Sequence, residues 1–346
     1  SKDKKIEDCS DPLKNKVEDV FSNLMGAKGN DPETGNGFKI LITEGEERKD
    51  DPFLDEPHVL ERRIPSSCKA VTLINRYPSM ARVVDPEIKA EIDKKTSKGS
   101  NIAMGINLIT LSRDFYPGRC LRKIPDDVLT ALFLSMRSAI LYCIETAIEK
   151  DYYDIPVSPF FNIGKQVGGS QPRIHGQVYI DLNQDGHGTR LENYLRTFKQ
   201  MKAACHLCKT THGGDNGGDG GRIILNSQYW TFYVTGSPVR NYHIRFHPDE
   251  HLRRFAQLKP NQCSDLSIAL RKIFHALDEL GVNPNRNILF NCCPYGYDAD
   301  FHLFGDIIPH EIIGGAEMAE NMRVARRMPE EVAEEIRESM TPGESA

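Results

Sequence analysis

The chain has 346 residues, 39% hydrophobic and 27% charged, with a formal net charge of −5. That length allows two ordinary domains, each with a core of its own, and the slight acidity argues against a dominant electrostatic grip on nucleic acid. No run approaches roughly 18 consecutive apolar residues, so no membrane span is expected. The opening SKDKKIEDCSD lacks the apolar core of a secretory signal, and the nine cysteines are odd in number and mostly scattered. Both point to a reducing compartment, and the expected location is the cytoplasm.

Residues 1–60 form a polar extension in which GNDPETGNG and EGEERKDDP mark loops around a short helix at 17–25 and a strand at 38–43. A first domain is expected over 61–195. Its apolar run at 70–74 reads as a strand and ends in the turn Asn75-Arg76-Tyr77-Pro78. Residues 85–100 are charged surface loop, and 102–112 reads as a strand. Pro125-Asp126-Asp127 opens the clearest helix. Val128, Leu132, Phe133, Met136, Ile140 and Ile144 give that helix a wide apolar face suited to lying on a sheet.

The stretch 160–182, FFNIGKQVGGSQPRIHGQVYIDL, reads as strand, glycine-rich turn and strand. Gly164, Gly168 and Gly169 let the turn bend sharply, and free amides there, with Ser170, would suit an anion. Alternation places His175, Gln177 and Tyr179 on one face of the second strand. A histidine beside such a turn is positioned to attack phosphorus, although a lone strand histidine is more often structural.

The second half repeats the plan over 196–320. Strands are expected at 230–235 and 241–247, an amphipathic helix at 260–280 stopped by Gly281, and strands at 288–292 and 301–308. Phe161-Asn162 matches Phe290-Asn291, and His175 is matched to His302. The expected fold is therefore α+β, two tandem halves each made of an antiparallel sheet and a long helix. A charged helix and tail follow at 321–346, and GGDNGGDGG (213–221) reads as a linker.

Asn162, Gly164, Gly169, Ser170, Pro172, His175, Gly176 and Gln177 resemble the active-site signature of the galactose-1-phosphate uridylyltransferases. These form the transferase branch of the histidine-triad superfamily, close to ADP-glucose and diadenosine tetraphosphate phosphorylases. The resemblance covers roughly 65–318 and implies the duplicated fold. It makes His175 the nucleophile, with Ser170 and Gln177 beside it and Asn75, Asn162, Gly168 and Gly169 at the nucleotide and its phosphates. Where the signature has a first histidine this chain has Arg173, read as a fixed positive charge for phosphate.

Cys205 and Cys208 have metal-ligand spacing. The resemblance completes them with His251 and His302 as a structural zinc site, His243 or His247 being the alternatives to His251. A corresponding first-half site lacks all its ligands, Arg113 and Arg173 standing where histidines would be.

The implied reaction moves a nucleoside monophosphate from a nucleotide sugar or dinucleoside polyphosphate, through a nucleotidyl–His175 adduct, to a phosphate or sugar phosphate. Gln177 cannot deliver a proton near neutral pH, which favours a transferase or phosphorylase over a hydrolase of the same superfamily. A catalytically silent binding or structural subunit is the third reading. Relatives of this kind often form homodimers.

Overall fold

The computed structural model describes residues 38–41, 59–62 and 69–340, apart from 76–77, 81–89, 91–93, 95–102, 113, 170, 185, 202–204, 212–219 and 321. The helix expected at 17–25, Arg113, Ser170 and most of the glycine linker lie outside the described residues.

Two strands of the extension, β1 (Phe38–Leu41) and β2 (Val59–Arg62), precede β3 (Ala70–Ile74) and β4 (Gly105–Ser112). Then come helix α1 (Asp126–Glu149), β5 (Val157–Ile163), β6 (His175–Asp181), α2 (Thr189–Gln200) and the short α3 (His206–Thr211). The second half holds β7 (Ile223–Asn226), β8 (Trp230–Val234), β9 (Ile244–Pro248), α4 (Pro260–Glu279), β10 (Arg286–Asn291) and β11 (Phe304–Pro309). Two helices close the chain, α5 (Gly315–Ala319) and α6 (Pro329–Met340).

The strands join in one sheet, ordered β2-β1-β3-β4-β6-β5-β10-β11-β9-β8-β7. Among the described residues, only the β1–β3 pairing is parallel. The two expected halves are thus not separate sheets: β5 and β10 pair antiparallel, Phe161 opposite Ile288 and Asn162 opposite Asn287.

Alternation decides which side chains enter the core. In β5, Val157, Phe161 and Ile163 are buried while Ser158 is exposed; in β10, Arg286, Ile288 and Phe290 are buried while Asn287, Leu289 and Asn291 are partly open. The inward face of the sheet as a whole meets α1, α4 and α6. Phe133 of α1 sits at the junction, with ring centroids 5.7 Å from Phe161 and 6.1 Å from Phe290, so one aromatic on one helix is shared by both halves. α1 is long and apolar enough to cross a membrane by length and composition; here its Leu132, Met136, Ala139 and Ile140 are fully buried.

Helix ends follow local chemistry. Asp126 and Asp127 complement the N-terminal dipole of α1. α4 has Pro260 in its first turn, the Gln262 side chain accepts from the Lys259 amide at 2.8 Å, and Gly281 (φ +70°) follows its end. The charged terminal segment is helical later than expected, from Pro329, and buries Val332, Ala333 and Ile336. α2 has no counterpart among the expected elements. It runs across the expected boundary at 195 and packs on the second half, Tyr194 meeting Phe304 (5.1 Å) and Phe198 meeting Phe301 (4.6 Å).

Strand register corrects the internal match. Phe160 pairs with Gln177, and Leu289 pairs with Asp306. Superposing Phe161-Asn162 on Phe290-Asn291 therefore lays Gly176 on Gly305, Gln177 on Asp306, His175 on Phe304 and Arg173 on His302. His302 is the counterpart of Arg173, not of His175. Two backbone bonds recur at matching places: Ile174 N to Tyr116 O (2.7 Å) with Leu303 N to Leu252 O (2.6 Å), and Asn75 N to Asn107 O (2.7 Å) with Thr235 N to His243 O (3.2 Å). Phe115 consequently stands where His251 stands in the second repeat.

Candidate active site and metal centre

His175 opens β6 and is 3% exposed. Its Nδ1 lies 2.8 Å from the carbonyl oxygen of Arg173. A carbonyl only accepts, so Nδ1 carries the proton and Nε2 keeps its lone pair. Burial holds the imidazole below its ordinary pKa, outweighing the opposing pull of that carbonyl bond. The result is a neutral ring with one tautomer specified. Gly176 follows because there is no room for more: a methyl there would strike Met136 and Phe161.

Gln177 shares the strand face of His175, two residues on and partly exposed. Tyr179 and Asp181 continue that face toward a cleft of 460 Å³. Its walls include Phe160 and Tyr179 of the first repeat, Leu289 and Asn291 of the second, and Arg190 and Tyr194 of α2. Phe160 and Tyr179 meet edge to face at 4.9 Å.

The glycine turn takes the backbone conformation its residues permit, Gly164 at φ +98° and Gly168 at φ +90°. Its amides, however, are not free for phosphate: Gly168 N donates to Lys165 O (3.2 Å) and Gly169 N to Gly164 O (2.9 Å). Gly169 is glycine for space, since a methyl would lie 2.5 Å from the Asn162 carbonyl oxygen. Asn162 accepts from Asn287 Nδ2 at 2.8 Å, and the same nitrogen reaches Val167 O at 3.2 Å. Gln166 N donates to Asn285 Oδ1 at 3.3 Å. The second repeat therefore holds the turn of the first, a role for Asn285 and Asn287 that the sequence reading missed.

Asn75 donates to Asn107 Oδ1 at 2.9 Å, and Ser79 N reaches the same oxygen at 3.4 Å. Asn107 is fully buried. It is the one amide in the apolar run of β4, a signal that could have marked it as the anchor of the turn after β3. Arg173 does not face outward as a charge for phosphate would. It is 2% exposed, and Nη1 donates to the carbonyls of Ser112 (2.6 Å) and Asp114 (2.9 Å).

Cys205, Cys208, His251 and His302 converge, their four donor atoms all within 4.8 Å of one another. Sγ to Nδ1 separations are 3.3 Å for Cys205–His302, 3.2 Å for Cys208–His251 and 3.4 Å for Cys208–His302. Bonds of about 2.3 Å to sulfur and 2.0–2.1 Å to nitrogen at tetrahedral angles would put such pairs about 3.5 Å apart, so the donors fit a tetrahedral ion. His302 Nε2 donates to Pro248 O at 2.9 Å, leaving Nδ1 to coordinate. The alternatives are placed elsewhere: His243 bonds Asp306 at 3.0 Å, and His247 Nδ1 donates to Pro248 O at 3.1 Å.

Among the described residues, the second repeat has no equivalent of the His175 face. At the Gln177 position, Asp306 is fully buried and accepts from His243, Arg245 (2.8 Å), Asn291 (3.1 Å) and Arg190 (3.3 Å). Burial pushes its carboxyl up, but His243 and Arg245 together outweigh that and hold it well below the usual range.

Among solved structures, a uridylyltransferase mutant matches over 90% of this chain and 97% of its own, with a TM-score of 0.66 and 18% identity. The fold is that of the uridylyltransferases. An ADP-glucose phosphorylase from Arabidopsis thaliana with bound ADP-glucose matches over 78% of this chain and 82% of its own (TM-score 0.62, 17% identity). A galactose-1-phosphate-uridylyltransferase-like protein from the same plant matches at TM-score 0.61 over 78% and 83%, with 17% identity. In sequence, no family model and no curated protein matches the chain. The overall fold is thus shared with structures at 17–18% identity.

Proposed function

We infer that the chain is a nucleotidyltransferase or phosphorylase working through a covalent nucleotidyl–His175. The observation that carries this is the His175 geometry: a buried, neutral imidazole whose Nδ1 proton is held by a carbonyl, leaving Nε2 as nucleophile. The uridylyltransferase fold supports the reading, as does the presence of a uridylyltransferase and an ADP-glucose phosphorylase among the solved structures with that fold.

In the first step Nε2 attacks the α-phosphorus of a nucleotide sugar or dinucleoside polyphosphate. A P–N bond forms, the bridging P–O bond breaks, and the sugar phosphate or nucleotide leaves with the electron pair. A phosphate monoester has a second pKa of about 6, so it departs as an anion near neutral pH without a general acid. That suits Gln177, which donates a hydrogen bond and no proton. In the second step an oxygen of phosphate or a sugar phosphate attacks phosphorus, and the P–N bond returns its electrons to His175. The Cys205, Cys208, His251 and His302 group would hold a structural zinc, tying the start of α3, ahead of the linker, to the segment beyond β9 and the entry of β11.

The test is intact-protein mass after incubation with UDP-, GDP- and ADP-sugars and diadenosine tetraphosphate, beside His175→Ala. The expected result is a gain of one nucleoside monophosphate, absent in the variant and reversed by phosphate or a sugar phosphate. No adduct from any of these donors on a folded chain would make a silent binding subunit the better account.

A further inference from the structure

The repeats brace their strand entries differently. In the second, His302 just before β11 and His251 beyond β9 belong to the four-donor group. At the matching places the first repeat has Arg173 and Phe115. The Arg173 guanidinium carbon lies 5.6 Å over the Phe115 ring, while Nη1 takes the carbonyls of Ser112 and Asp114 where β4 ends. A cation thus joins the same two chain segments that the metal group joins in the other repeat. The neighbouring backbone completes the joint, with Ile174 N on Tyr116 O at 2.7 Å and Gly118 N on Pro172 O at 2.9 Å.

We propose that Arg173 replaces a metal ion in the first repeat and serves as a positioning residue: its guanidinium clamps the entry to β6 and so fixes the Arg173 carbonyl that sets the His175 tautomer. A buried guanidinium is kept in place because moving it strands a charge without its acceptors. It offers directed N–H donors where an ion would offer acceptor sites, and no chelator removes it. If the carbonyl drifts, the Nδ1 proton loses its partner, the ring populates the Nε2–H form, and the lone pair needed for attack is lost. Arg173 then acts on transfer through His175 without touching phosphate. Only this kinetic consequence rests on the nucleotidyl-transfer reading; the clamp itself does not.

The test is long-range ¹H–¹⁵N correlation of the full chain labelled in histidine, His175 being assigned with His175→Gln. In the wild type a single Nδ1–H tautomer is expected, unchanged when EDTA strips metal from the chain. Arg173→Met is expected to give a tautomer mixture and to slow adduct formation about tenfold or more, with the donor concentration for half-maximal rate little changed. Arg173→Lys, which keeps the charge and loses the fork, is expected to lie between the two. An unaltered tautomer in a folded Arg173 variant, or a His175 signal that moves on chelation, would overturn the proposal. So would a loss confined to donor affinity, which would instead place Arg173 on phosphate. The spectra need no substrate, so they decide the clamp even if the chain transfers no nucleotide.

Discussion

The two repeats share a strand plan and differ in what stands at three matched positions. Where the first has Arg173, His175 and Gln177, the second has His302, Phe304 and Asp306. The first leaves an imidazole with a free lone pair. The second fills the same face with Phe304 against Tyr194 and Arg245, and surrounds Asp306 with donors. Under the proposed function the two repeats divide tasks that compete in one site: presenting a reactive nitrogen, and satisfying every buried polar group. On that reading one repeat is arranged for chemistry and the other for support.

The hardest test of that division is at the matched pair His175 and Phe304. His175→Ala should abolish the adduct and lower transfer by on the order of 10⁴-fold or more, whereas Phe304→Ala should leave adduct formation intact in folded protein. An adduct that survived the first change would move the nucleophile elsewhere. Next in size is the metal. Stripping it should lower the unfolding free energy by about 4 kcal/mol at a free metal concentration 1,000 times Kd, read as a drop in unfolding temperature that Cys208→Ser reproduces. Equal stability with and without metal would leave the four donors as an unoccupied cluster.

The matched glycines sharpen the comparison. A methyl at Gly176 meets the flexible end of Met136 as well as Phe161, while at Gly305 the three nearest atoms all belong to the Phe246 ring. Both alanine variants should lose about 1–3 kcal/mol in denaturant unfolding, Gly305→Ala the more because a ring cannot fold away. Equal losses would mean the two cores yield alike.

The smallest effect concerns pH. Burial lowers the His175 pKa from 6.5, so the unfolded chain binds the proton first and the fold loses stability as pH falls below about 6.5. For the same reason the acid limb of adduct formation should lie below pH 6.5. A limb at or above that value would show that His175 is solvated when it reacts.

Much of this division was legible from residues. α1, α4 and the strands around His175 were marked by apolar spacing and by Pro125, Pro260 and Gly281, because those signals are local. The four donors that the resemblance implies, Cys205, Cys208, His251 and His302, do converge. The match of His175 to His302 failed because it followed residue type rather than distance. Asn162 to Gly176 and Asn291 to Gly305 are both fourteen residues, and that equality alone would have put Phe304 opposite His175. α2 escaped because Leu191, Leu195 and Phe198 make only a narrow stripe among charges. What no local pattern carries is the use of an amide already committed elsewhere. Gly168 and Gly169 look like a phosphate cradle until their own turn bonds are seen, and Arg173 looks like a ligand for phosphate until its carbonyl partners are.

The join between β5 and β10 has one further consequence, for behaviour on dilution. A turn pinned by Asn285 and Asn287 would, in a protein of two separate subunits, be released as the subunits part. Here both halves belong to one polypeptide, and the effective concentration of one for the other is set by the chain and not by the solution. So far as this joint governs it, the geometry of the His175 face is independent of protein concentration down to single molecules.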